Sequence, residues 1–247
     1  MSEAMHMVQL QLAMRALFAR ARTVGMRGGD PDLGYLVHCR LQELFGEHAP
    51  APFSIDEPLP NRRDDSLRVL AYSGLDAEAL ERVSGERQAG EPLDFSRLLS
   101  KRMPAPAVGA ELAFETRVCP VLRKSSAGAH HRKGAEVDVF IDECWRHEKS
   151  EAVSREAVYE RWLRQRLHEG GAELLAGSLE RFELRDLFRR TQASSERRKG
   201  RRPWKPDAVL SGRLRVSDAD AFATLLRRGV GRHRAFGFGM LLLRKPG

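Results

Sequence analysis

Over the first fourteen residues apolar and polar side chains alternate in places: Val8, Leu10 and Leu12 take one face, and Gln9 and Gln11 the other. A period of two predicts a strand over residues 7–14, one face of its sheet packed and the other wet. The period then changes. Leu33, Leu36, Val37, Leu41, Leu44 and Phe45 recur at helical spacing and make a core face. Asp30 or Asp32 is placed to cap that helix, Pro31 suits its first turn, and Gly46 ends it. The basic stretch between, residues 20–29, fits either a loop or a short helix stopping at its glycines. Residues 52–56 and 66–73 read as short strands around an Asn61–Asp65 turn, 77–83 as a helix and 111–118 as a strand. The order β-α-β-β-α-β is that of a ferredoxin-like unit.

Composition shifts at residues 122–133, where basic and small side chains dominate, so the domain boundary is expected there: 1–122 and 123–247. Beyond it, Val137, Phe140, Ile141, Cys144 and Trp145 keep helical spacing, and Ser154 heads a second helix to His168. Phe182, Leu184, Leu187 and Phe188 lead into a basic run, Arg189 to Arg202. Leu210, Gly212, Leu214 and Val216 then alternate with polar residues as a strand, residues 217–228 read as a helix, and 238–243 as a last strand. The expected class is α+β, with two similar small units.

The formal net charge of +8 points to a polyanionic partner. Cys39, Cys119 and Cys144 form no closed disulfide set, no apolar run approaches a membrane span, and no signal-peptide pattern is present. A cytoplasmic protein is expected. The run from Arg189 to Arg202 reads either as an arm along a nucleic-acid backbone or as a solvated loop. Residues 228–243 are the most distinctive stretch: Gly229 and Gly231 precede Arg232, His233 and Arg234, and Gly237 and Gly239 follow. Such a loop presents N–H groups to anionic oxygens, or it is an αL helix cap and a tight turn. Helix before and strand after exclude a dinucleotide fingerprint, and a Walker loop lacks its Gly-Lys-Ser/Thr.

Tyr35 and His38 stand one turn apart on the first long helix, with Arg40 close by in sequence. An imidazole suits proton transfer near neutrality, and a phenol can orient a phosphate or ribose oxygen. The plainer reading of His38 is a satisfied helix-edge histidine. Cys144 and His147, or His130 and His131, complete no metal-ligand set; Asp138, Asp142 and Glu143 fit a solvated helix face. No nucleophile elbow and no helix-turn-helix stands out, against acyl transfer and against a DNA regulator.

On these residues the chain resembles the CasE family of CRISPR RNA-processing endoribonucleases, in the RAMP superfamily. The resemblance rests on Tyr35-x-x-His38, the strands at 67–73 and 111–120, and above all Leu225-Leu226-x-x-Gly229-Val230-Gly231 through Gly237-Phe238-Gly239-Met240-Leu241. It implies two ferredoxin-like domains in tandem with a C-terminal glycine-rich loop, and a basic cleft gripping a CRISPR repeat stem-loop. It further implies cleavage without metal or cofactor, and service as a subunit of a CRISPR effector complex. His38 matches the family's catalytic histidine and Tyr35 its companion tyrosine, with Arg40 or Arg232 steadying charge. The RNA-contacting residues expected are Arg20, Arg22 and Arg27; Arg189, Arg190, Arg197, Arg198, Lys199, Arg201 and Arg202; and Gly229, Gly231, Arg232, His233, Arg234, Gly237 and Gly239. Two departures stand out, the arginine-rich insertion at residues 15–29 and the basic loop tip. Divergent relatives in type IV CRISPR systems vary in the same places, which keeps open arginines in place of His38 for the chemistry; a non-catalytic subunit holding a processed guide is the alternative reading of the function.

Overall fold

The computed structural model describes residues 4–23, 26, 32–56, 65–87, 93–147, 152–187 and 204–246, with the backbone of 189–190 and 200–201. Arg27, Arg197, Arg198, Lys199, Arg202 and the turn at 61–64 lie outside the described residues. The first sheet is built from β1 (His6–Ala13), β2 (Phe53–Ile55), β3 (Ser66–Ser73) and β4 (Leu99–Arg102), in the order β2-β3-β1-β4. Its helices are α1 (Met14–Thr23), α2 (Leu33–Phe45) and α3 (Ala77–Arg87). Val8, Leu10 and Leu12 of β1 are buried with Leu67, Val69 and Ala71 of β3 and with Leu36, Val37, Leu41, Leu44 and Phe45 of α2. The alternation read from the sequence is thus the inward face of the sheet, and the 3.6-residue pattern is the face α2 lays on it. The basic segment after β1 begins as α1, whose Leu17 and Ala21 reach the same core.

The second unit begins with β5 (Glu111–Val118), then a separate two-stranded hairpin of β6 (Val121–Arg123) and β7 (Glu136–Asp138), then α4 (Val139–Cys144) and α5 (Arg155–Glu169). The long β8 (Ala172–Asp186) follows. A two-rung ladder pairs β9 (Arg189–Arg190) with β10 (Gly200–Arg201), so the basic run has a hairpin stem. Then come β11 (Trp204–Val216), α6 (Ala219–Arg228) and β12 (Leu241–Arg244). The sheet order is β12-β5-β11-β8. Both sheets therefore carry the ferredoxin-like order in which the first and third strands lie centrally.

Two expectations are corrected. The strand at 111–118 does not close the first sheet: β5 pairs with β11 and β12, and the fourth strand of the first sheet is β4, paired with β1. Nor does the chain divide into contiguous halves at 122. Residues 1–104, 186–203 and 234–240 make one compact unit, and 105–185, 204–233 and 241–247 the other. The basic stretch at 122–133 lies inside the second unit, running from β6 into the connection that leads to β7. Val137 is strand, and the helix begins after Asp138, whose carboxylate caps it by accepting from Phe140 N at 2.9 Å. Asp138 and Asp142 are buried rather than solvated; Lys124 and Arg146 hold Asp142.

Candidate active site

Helix α2 starts where Asp32 Oδ1 accepts the Tyr35 amide at 3.0 Å, satisfying one of the orphan donors of a helix N-terminus. This fixes Tyr35 in the first turn and His38 one turn later. Against both lies Phe236, from the segment 234–240 that the first unit takes from the glycine-rich loop. Its ring stacks on Tyr35 with centroids 6.0 Å apart and meets His38 edge-on at 5.6 Å. The approach requires Gly34. A Cβ there would stand 2.2 Å from the Phe236 carbonyl oxygen, inside any allowed contact.

His38 is half-buried, and the loss of solvent holds its pKa below the ordinary 6.5. The neutral imidazole, which can take a proton, is therefore the form present at pH 7. The Tyr35 hydroxyl donates to the Cys39 sulfur; burial still drives the thiol pKa up, against that hydrogen bond and the Arg20 charge. Arg20 of α1 and Arg40 of α2 both pair with Glu43, at 2.8 and 3.5 Å. Arg40 is two residues from His38, about 200° around a helix, so it leaves the Tyr35–His38 face. It lines a small cleft with Arg15, Arg97, Gln11 and Ser66 instead. Tyr35, His38 and Phe236 are brought together; Arg40 is not among them. Arg22 and Arg234 are exposed.

In the second unit the loop tip carries its own counter-charge. Glu136 takes Arg232 Nε at 2.9 Å, His233 Nε2 at 3.1 Å and Lys205 Nζ at 3.2 Å. The His233 side chain is 0 % exposed, and its φ of 61° lies in the left-handed region. Gly229, Gly237 and Gly239 are buried, and Gly231 lies against the Trp162 ring. These glycines serve turns and close packing, with φ between 75° and 83°. Among the described residues no three His, Cys, Asp or Glu side chains gather as a metal-ligand set. No described helix is long and apolar enough to cross a membrane. Phe236 and Glu136 escaped the sequence reading. The available signal for the first was Gly34, an unfavourable residue inside a well-capped helix.

Comparison with known proteins agrees with this architecture. The CRISPR-associated endoribonuclease Cse3 of Thermus thermophilus is 30% identical over 141 residues, 56% of this chain and 57% of the relative; the match spans a little over half of that protein. A structure of Cse3 bound to a 19-nucleotide RNA superimposes with TM-score 0.61 at 23% identity, covering 98% of this chain and 100% of the other. Cas6e of Escherichia coli K-12 gives TM-score 0.51 at 18% identity, covering 98% and 100%. At these identities the structures establish a shared fold. The model of a family described as CRISPR associated protein matches residues 5–245, and on that match across nearly its whole length the chain belongs to this CRISPR-associated family.

Proposed function

We propose that the protein is an endoribonuclease that binds the stem-loop of a CRISPR repeat, cuts the precursor RNA there, and keeps the product as a subunit of an effector complex. The observation that carries the reading is the half-buried, neutral His38 one turn from Tyr35, in a family member whose curated relative is named an endoribonuclease. In this mechanism the His38 imidazole takes the proton of a ribose 2′-hydroxyl. The 2′-oxygen attacks the adjacent phosphorus in line, the bond to the 5′-oxygen breaks, and that oxygen takes a proton from water. The products are a 2′,3′-cyclic phosphate and a 5′-hydroxyl. Tyr35 orients the 2′-hydroxyl or the phosphate. No step in this scheme calls on a metal ion, so EDTA should leave the rate unchanged. The excess of Lys and Arg, 42 against 34 acidic residues, supports phosphate contacts that weaken with salt.

A second reading, a non-catalytic subunit that holds a processed guide, is favoured by two observations: Phe236 lies over Tyr35 and His38, and Arg40 pairs with Glu43. Incubation with unprocessed repeat RNA in EDTA separates the two. Cleavage by the wild type, lost in His38→Ala while stem-loop binding persists, supports the endoribonuclease. Binding without cleavage supports the guide holder.

A further inference from the structure

The insertion between β5 and α5 presents an aromatic surface that the proposed reaction leaves unused. Trp145, at the C-terminal cap of α4, is 38% exposed. The His130 ring lies against it with centroids 5.0 Å apart and planes 28° from parallel, and His131 lies 6.0 Å away at 26°. The turn that brings them there closes on the Gly128–His131 bridge. The His131 ring lies close over Gly128, where a Cβ would stand 2.8 Å from its Nε2. His131 Nδ1 is buried without a hydrogen-bond partner among the described residues.

The segment that carries the two histidines is basic. Residues 123–133 contain Arg123, Lys124, Arg132 and Lys133 and no carboxylate. The nearby carboxylates are already engaged, Asp142 by Lys124 and Arg146, and Glu143 by Arg161 at 2.7 Å and His147 at 3.4 Å. A stacked ring pair with an exposed outer side, on a basic segment, fits a ligand with a π-face and an anionic backbone laid on that outer side rather than between the rings.

We propose that His130 and Trp145 form a stacking seat for an unpaired nucleobase of RNA, with Arg132 and Lys133 against the neighbouring phosphates. The proposal rests on the reading of the chain as an RNA-binding protein. It adds a site for single-stranded RNA distinct from the face of α2. Every base offers a π-face, so the seat is tolerant of sequence and selects unpaired over paired nucleotides.

The test uses the full chain, a labelled twelve-residue oligoadenylate, and a duplex RNA of equal length. Trp145→Ala is expected to weaken oligoadenylate binding about tenfold, His130→Ala about threefold, and Trp145→Phe by less than about threefold, since the ring is kept. Duplex binding stays within about twofold of wild type in all three. His130 is exposed, so its variant reports stacking even where Trp145→Ala fails to fold. No loss with oligoadenylate, equal loss on duplex, or Trp145→Phe as weak as Trp145→Ala overturns the seat. Repeat stem-loop cleavage by the same wild-type preparation is scored alongside. Cleavage with no stacking effect refutes the seat alone, and failure to bind or cut the stem-loop refutes the functional reading instead.

Discussion

Replacing Gly34 by alanine opposes two physical effects that point in opposite directions. In a helix interior alanine is better than glycine by about 0.5–1 kcal/mol, because it has less backbone freedom to lose. At Gly34 the added methyl would meet the Phe236 carbonyl oxygen at 2.2 Å and its carbon at 2.9 Å, both backbone atoms with no rotamer to yield. Relieving the contact means moving segment 234–240 by about 1 Å, an overpacking strain of about 1–3 kcal/mol. The same shift loosens the packing of Phe236 on Tyr35 and His38, each ring pair worth about 0.5–1.5 kcal/mol. Net destabilisation of about 1–2 kcal/mol follows once the propensity gain is subtracted. Gly85 in α3 is the internal control: it is exposed, and a Cβ there meets nothing within 4 Å. Gly85→Ala should therefore stabilise by up to about 1 kcal/mol. Urea unfolding followed by far-UV circular dichroism reads both, and repeat-RNA cleavage should fall about tenfold or more in Gly34→Ala alone. Equal stabilisation by the two alanines, with full cleavage in both, would refute the close packing of the loop segment on α2.

Three further outcomes follow from other parts of the molecule. Because burial keeps the His38 pKa under 6.5, cleavage should rise with pH through that lowered value and be level by neutrality; the stability contribution carries the same sign, lost as pH falls below 6.5 because the unfolded chain takes the proton first. A rate that falls across that window would assign His38 the acid role instead. Glu136→Ala leaves Lys205 and His233 buried without their carboxylate and should cost about 3 kcal/mol, read as a lower midpoint in thermal or urea unfolding. A variant within 0.5 kcal/mol of wild type, about the reach of an ordinary surface change, would show that the cluster holds nothing. Alanines at Arg197, Arg198, Arg201 and Arg202 should flatten the logarithmic salt dependence of stem-loop binding by about one unit for each phosphate no longer neutralised; an unchanged slope removes the arm from the interface.

What could be read ahead of the structure follows the range of the forces involved. Strands β1, β3 and β11 bury one face against a core, so their alternation is written locally. Helix α2 announces itself through apolar spacing and its Asp32 cap, and α5 through Ser154 at its head. Strand β4, Leu-Ser-Lys-Arg, is exposed at every position and held by backbone pairing to β1 at the sheet edge, so it writes no apolar pattern. Assigning β5 to the first sheet failed because partnership is nonlocal: Leu112 pairs with Leu214 and Phe114 with Leu243, about a hundred residues away. The site divides in the same way. The one-turn spacing of Tyr35 and His38 is local and legible. Phe236 over their rings, and Glu136 against Arg232 and His233, depend on chain separations that composition and period do not encode.

In the proposed reaction the RNA's own 2′-hydroxyl severs the chain once His38 has taken its proton. The direct measurement compares two stem-loop substrates, one all-ribose and one with a single 2′-deoxyribose at the mapped scissile nucleotide, in single-turnover reactions with EDTA. The ribose substrate should be cut to a 2′,3′-cyclic phosphate, while the deoxy substrate should be bound equally tightly and left intact. Cutting of the deoxy substrate at a comparable rate would contradict this mechanism.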